Sequence, residues 1–293
     1  MAARWLLLIA AYTYLIKRLV CFEDYAAIAN LLRQAQWHQF LCIVLCVMLM
    51  PVNLLLEALR WRTALAKITQ ITLRQSFTQV IGGMLGAFLT PFRAGEIPAR
   101  LLYLKERQDW KKALAAGVFA SILMTAVIII CGWIPTTVYL HEISTPGVQA
   151  EIAATAVALC LGTGVLLYLN HRKQWFAVPS ASWQGYSRLA MLTLLRYLCF
   201  ALQFFLMLRA VGITLSPVEA LVAIPTYYLL VTLTPNMPAA DAGIRGSWAI
   251  FVFSHYTDAV PMIALAAVGI WLINTILPLL AAPVQSRRLL QSR

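Results

Sequence analysis

Residues 77–100 read FTQVIGGMLGAFLTPFRAGEIPAR. The apolar run Phe77–Thr90 falls short of the roughly 20 residues that one membrane crossing needs. It contains Gly82, Gly83 and Gly86, and Pro91 ends it by removing a backbone N–H donor. Arg93, Gly95, Glu96 and Arg100 follow at once. Backbone groups freed by such a break cannot face lipid, so they line protein or a water-filled cavity. The stretch therefore reads as a broken or re-entrant helix carrying charge to membrane depth.

A second stretch repeats this plan. Val218–Thr234 is apolar, ends at Pro235, and leads through Asp241, Gly243 and Arg245 into the short apolar piece Trp248–Phe253. Leu89-Thr90-Pro91 and Leu233-Thr234-Pro235 lie 144 residues apart (91 to 235) in a chain of 293. The pattern suggests one transmembrane domain, 1–293, built from half-repeats 1–145 and 146–293. Inverted repeats with discontinuous helices are a known transporter plan.

Composition sets the same frame for the whole chain. Hydrophobic residues make up 61% and charged residues only 12%, against about 45–50% and about 25% in a soluble domain. With a mean hydropathy of +0.78, a soluble globular enzyme and a disordered chain are both excluded. The expected fold is all-α, a polytopic helical bundle. It has about six full spans of ordinary membrane-crossing length, together with the two broken segments. The spans read as Trp5–Phe22, Trp37–Leu59, Ala113–Trp133, Ile152–Leu169, Leu189–Leu208 and Val260–Leu280.

Basic residues outnumber acidic ones, 23 to 11. Most sit in short loops beside the spans, as Lys67, Arg74, Lys105, Arg107, Lys111, Lys112, Arg172, Lys173, Arg287 and Arg288 do. That is the positive-inside signature of membrane topology rather than of nucleic-acid binding. It places both termini in the cytoplasm, sends the first broken segment in from the cytoplasm, and sends the second in from outside. Six cysteines occur without a CxxC pair or a Cys/His cluster, so no metal site or disulfide framework is indicated. The four histidines are scattered and read as interface residues.

Charge at membrane depth is costly and marks candidate sites. Arg93, Arg100 and Arg245 suit a phosphate, and a half-helix N-terminus would add to that. Glu96 and Asp241 would orient the arginines, or meet a cationic head group or a proton. Gly82, Gly83, Pro91, Gly95, Pro235 and Gly243 are the expected break and hinge positions. Glu57, Arg196 and Glu219 rank below these, because each can sit near a span end or face a neighbouring helix.

The stretch Pro91-x-Arg93-x-Gly95-Glu96-x-x-x-Arg100 resembles the signature of the lysylphosphatidylglycerol synthase transmembrane-region family, a flippase-like membrane domain. Ala58-Leu59-Arg60-Trp61-Arg62 and the loop around Pro235, Gly243 and Arg245 are similar to that family too. One departure stands out: Gly246 follows Arg245 where the family usually has an acid, and Asp241 is the nearest substitute. The resemblance implies translocation of a phosphate-bearing or aminoacylated lipid across a cytoplasmic (inner) membrane. These residues contain no aminoacyl-transferase domain, so lipid aminoacylation by this chain alone is not expected.

No GxxxxGK[ST] phosphate loop is present, and no cofactor is expected. Drive would come from a gradient, a partner or mass action. The expected partners are membrane lipids, with a homo-oligomer or an envelope-synthesis protein as further candidates and no nucleic acid. The competing readings are an integral-membrane lipid or polyprenyl-phosphate transferase and a non-catalytic subunit of an envelope-synthesis complex.

Overall fold

The structure is a computed structural model that describes residues 36–104, 109–143, 183–234 and 240–280, with isolated positions 13, 17 and 20. Every extended element among them is helical. In chain order they are α1 (Trp37–Leu65), α2 (Leu73–Leu89), a 3₁₀ turn (Pro91–Arg93), α3 (Glu96–Leu101) and α4 (Trp110–Ile143). Then come α5 (Trp183–Ala210), α6 (Pro217–Leu233), α7 (Asp241–Phe253) and α8 (Val260–Trp271). Helix α8 runs on through a π turn (Leu272–Ile276) to residue 280.

Four helices are long and apolar enough to cross a membrane: Trp37–Leu65, Trp110–Glu142, Trp183–Ala210 and Val260–Leu280. They correspond to four of the six expected spans. The other two, Trp5–Phe22 and Ile152–Leu169, lie outside the described residues, so a count of six is not established. Helix α1 shows why lipid is the right solvent. It buries Asn53, Glu57 and Arg60 while leaving Phe40, Met48 and Val52 exposed. An apolar rim around polar residues reverses the arrangement of a soluble protein.

The first broken segment forms a hairpin. Thr72 starts α2 with a capping box, its side chain accepting from the Gln75 backbone N–H while the Gln75 side chain accepts from the Thr72 N–H. The helix therefore begins four residues before the apolar run does. At the other end the Thr90 hydroxyl donates to the Gly86 carbonyl at 2.7 Å and accepts the Gly95 N–H at 2.7 Å. This double bond from one hydroxyl turns the chain around Pro91. Helix α3 then returns along α2, with Ala99 against Gly86, Arg100 against Gly83 and Tyr103 against Gly82.

The second broken segment is built the same way. Ser216 and Glu219 form the capping box of α6, and the Thr234 hydroxyl donates to the Leu230 carbonyl at 2.8 Å and accepts the Trp248 indole N–H at 2.8 Å. Capping residue, terminal leucine and latch threonine each stand at the same offset from their counterparts in the first hairpin (72 to 216, 89 to 233, 90 to 234). Asp241, Gly243 and Arg245 are helical, so the apolar piece Trp248–Phe253 is only the second half of α7. The expected break at Gly243 is thus absent, and Pro235 lies outside the described residues.

The hairpins open at opposite ends of α4. Leu101 and Leu104 pack with Ala113 and Ala116 near the start of α4. Helix α6 instead runs antiparallel to the second half of α4, with Thr136 bonded to Thr226 and Gly132 against Leu229. The Tyr139 hydroxyl donates to the Phe251 carbonyl of α7 at 3.0 Å. Helices α1 and α5 pack along one another and join the two halves.

The α2–α3 contact requires glycine. A Cβ at Gly86 would lie 2.4 Å from the Gly95 carbonyl oxygen and 2.5 Å from the Ala99 Cβ. Backbone must shift to admit it, at a cost of about 1–3 kcal/mol. Gly86→Ala is expected to lower the thermal unfolding midpoint of the detergent-solubilised protein. Gly269→Ala, whose Cβ would meet only the Met207 side chain at 3.5 and 3.6 Å, is expected to leave it unchanged.

Candidate functional site

Helix α1 ends in a face of Asn53, Glu57, Arg60 and Trp61, all buried. Spacings of three and four residues place them on one side of the helix. The Glu57 carboxylate sits at the centre of three guanidinium groups brought by three helices. Oε2 accepts from Arg60 Nη1 of α1 and from Arg196 Nη1 of α5 at 2.8 Å. Oε1 accepts from Arg100 Nη2 of α3 at 2.7 Å.

Arg60 is fully engaged. Its Nε donates to the Thr193 hydroxyl at 3.0 Å and its Nη2 to the Ala120 carbonyl at 2.7 Å, so it ties α1 to α5 and α4. Arg100 Nη2 also reaches Glu96 Oε1 at 2.5 Å. Its guanidinium lies 5.1 Å from the Trp61 ring centroid, in range of a cation–π contact. The Trp61 indole in turn donates to Gln79 of α2 at 2.6 Å. On the outer side, Glu96 Oε2 accepts from Arg93 Nε and Nη2, each at 2.9 Å. Four guanidinium groups thus face two carboxylates, an excess of two positive charges.

The polar seam continues beyond the charges. Arg196 Nε donates to Asn53 Oδ1 at 3.0 Å, and Asn53 Nδ2 donates to Asn274 Oδ1 at 3.3 Å. Asn274 Nδ2 donates to Gln203 Oε1 at 3.1 Å, and Gln203 Nε2 to the Cys46 carbonyl at 3.0 Å. Asn274 lies in the π turn of α8. Pro278, four residues on, offers no N–H to the Asn274 carbonyl, which accounts for the irregular turn at this point.

At the start of that turn, the Trp271 indole donates to Asp241 Oδ2 at 2.8 Å. Asp241 Oδ1 accepts from Arg245 Nε at 2.8 Å. Asp241 occupies the first turn of α7, where a negative charge is favoured by the helix dipole. Helix α8 and its π turn therefore carry, three residues apart, a direct contact to Asp241 and a contact through Asn53 to the Glu57 cluster.

The structure gathers Arg93, Glu96 and Arg100 around Glu57, and pairs Asp241 with Arg245 in a second, neutral group. Gly82 and Gly83 lie inside the continuous helix α2, where they admit Tyr103 and Arg100. Gly95 is at the hairpin turn, and Gly243 is buried inside α7. The six-residue α3 is too short to offer the half-helix terminus expected for a phosphate. Glu219 caps α6. Sequence reasoning ranked Glu57 and Arg196 low, yet they form the hub. It missed Arg60, Asn53, Gln203, Trp271 and Asn274. The signal was present for the first two, since Asn53, Glu57 and Arg60 fall on one face of an otherwise apolar span.

Residues 5–282 match the model of the lysylphosphatidylglycerol synthase TM region. The chain belongs to that family. No curated protein and no solved structure matches it. Membership agrees with the apolar helices in making this a multi-pass membrane protein of the flippase-like type.

Removing one member of a buried ion-pair group leaves its partners uncompensated, at a cost of about 3–5 kcal/mol. Glu57→Ala is expected to unfold the solubilised protein at markedly lower temperature. Trp271→Phe removes one hydrogen bond to a charged acceptor and leaves Asp241 paired with Arg245, so about 1.5–3 kcal/mol is expected. Thermal unfolding of the two variants side by side checks the order.

Proposed function

We propose that this family member translocates a lipid whose head group carries phosphate, using the Glu57 cluster as the head-group seat. The carrying observation is the excess of two positive charges in the cluster, with Arg60, Arg100 and Arg196 inside a bundle whose outer surface is apolar and Arg93 at the edge. Such an excess is costly without an anion. Arginine forks bind phosphate oxygens through paired, charge-assisted bonds. The acyl or prenyl tails would stay in lipid while the head group meets Arg93 and Arg100.

Three observations support reading the two halves as an inverted repeat that exchanges access between the faces. The capping box, latch threonine and acid–arginine pair recur in both halves in the same order. The hairpins open at opposite ends of α4. Trp271 and Asn274, three residues apart on one helix, reach the two charged groups, the first directly at Asp241 and the second through Asn53. On this reading both hairpins are re-entrant, the first from the cytoplasm, where the Lys- and Arg-rich loops lie. The membrane is the cytoplasmic membrane, and the chain acts as a carrier rather than as an enzyme.

The test is reconstitution into liposomes holding labelled lipids with different head groups, followed by exposure to an external quencher. Protein-dependent movement of a phosphate-bearing lipid is expected, and Arg93→Gln is expected to reduce it by tenfold or more, about the effect of one charge-assisted bond. Arg93 is half-exposed at the outer edge of the cluster, so folding should survive; thermal unfolding checks this. Folded protein that moves none of the lipids would refute the proposal.

A further inference from the structure

The two carboxylates of the cluster are not equivalent. Glu57 is deeply buried and binds three arginines, whereas the Glu96 side chain is 22% exposed and sits between Arg93 and Arg100. Its two oxygens point to different guanidinium groups: Oε2 to Arg93 at 2.9 Å and Oε1 to Arg100 at 2.5 Å. A phosphate held by two arginines presents its oxygens in the same divided manner. Arg93, 43% exposed, lies at the open edge of this arrangement. Its backbone has φ +56°, the single non-glycine residue in the left-handed region among the described residues. Such a conformation is strained for a side-chain-bearing residue and persists where its surroundings enforce it. Here the enforcing contacts are the 3₁₀ turn behind it and the Glu96 pair in front.

We propose that Glu96 is a stand-in for the ligand's phosphate, occupying the seat between Arg93 and Arg100 until a head group displaces it, and that the two arginines so released favour a dianionic phosphate. The inference rests on the reading of the cluster as the head-group seat. A phosphodiester carries one negative charge, the same as the carboxylate it must replace, and gains little by the exchange. A phosphomonoester or a diphosphate carries about two at neutral pH, so it forms stronger charge-assisted bonds to the same two arginines. The Glu96 side chain is 22% exposed at the edge of the cluster, and on this proposal it turns outward there. Arg93 is then free to leave its strained backbone conformation. The selected ligands are lipids ending in a phosphomonoester or linked through a diphosphate.

The experiment compares short-chain phosphatidic acid, a monoester, with short-chain phosphatidylglycerol, a diester. Binding to the purified full chain in phosphatidylcholine nanodiscs is read at pH 8 by calorimetry. The wild type is expected to bind the monoester at least about tenfold more tightly than the diester. Glu96→Gln is expected to bind both more tightly and by a similar factor, because displacing Glu96 costs the same for either lipid, so that the preference for the monoester is kept. A Glu96→Gln variant that binds both lipids no better than the wild type, or binds the diester less well, overturns the stand-in role while leaving the seat intact. Wild-type binding that is unaffected by Arg93→Gln and by Arg100→Lys, or absent for both lipids, overturns the seat itself. Inorganic phosphate as competitor separates the two sources of the anion. Displacement of the monoester only at far higher concentration supports a lipid head group, and displacement at matching concentration supports free phosphate in the same seat.

Discussion

The carboxylate of Glu57 holds three helices to one point. Arg60 from α1, Arg100 from α3 and Arg196 from α5 converge on two oxygens inside a bundle with an apolar exterior. Much else follows from that convergence. Helix α3 must lie close enough to α1 to deliver Arg100, and it can do so only because Gly83 and Gly86 leave no side chain in its way. Trp61, beneath Arg100, fixes α2 through Gln79. The first hairpin and the charge cluster are therefore a single construction.

The second hairpin shares this plan with different chemistry. Its latch threonine and capping box repeat those of the first, but among the described residues its acid and arginine are matched one to one, with no third charge in a salt bridge to them. The positive excess gathers at the first hairpin, with Arg196 of α5 supplying one of its four guanidinium groups from the second half. The stretch between the two charged groups holds uncharged side chains, Asn53, Asn274 and the Trp271 indole, which cost far less to bury than ions when hydrogen-bonded. Its central member lies on an irregular turn produced by Pro278, a place where a helix changes register more readily than in a regular stretch.

Much of the architecture was legible in the sequence because membranes impose simple rules. Length, hydropathy and proline placement marked the four described spans and the hairpin at Pro91, and the Leu-Thr pairs 89–90 and 233–234 do close matching helices. The helix ends were less legible, since the capping boxes at Thr72 and Ser216 extend each helix beyond its apolar run. Gly243 looked like a break by analogy with Gly95, yet α7 continues through it, because Asp241 and Arg245 stabilise that turn as an i,i+4 pair. The site was half legible. Arg93, Glu96 and Arg100 announced themselves as charges beside a proline. Glu57 and Arg196 stand alone in long apolar runs, and nothing local tells such a residue which distant helix it will meet. Asn274 and Gln203 carry no charge and gave no signal against their apolar neighbours.

The account stands on the cluster being a seat for a head group rather than a purely structural knot. An experimental structure of the protein with a phosphomonoester lipid bound would test that directly. Head-group density between Arg93 and Arg100, with the Glu96 side chain turned outward, is the predicted result. Lipid density confined to the outer apolar surface, with Arg93, Glu96 and Arg100 still paired to one another, would contradict it.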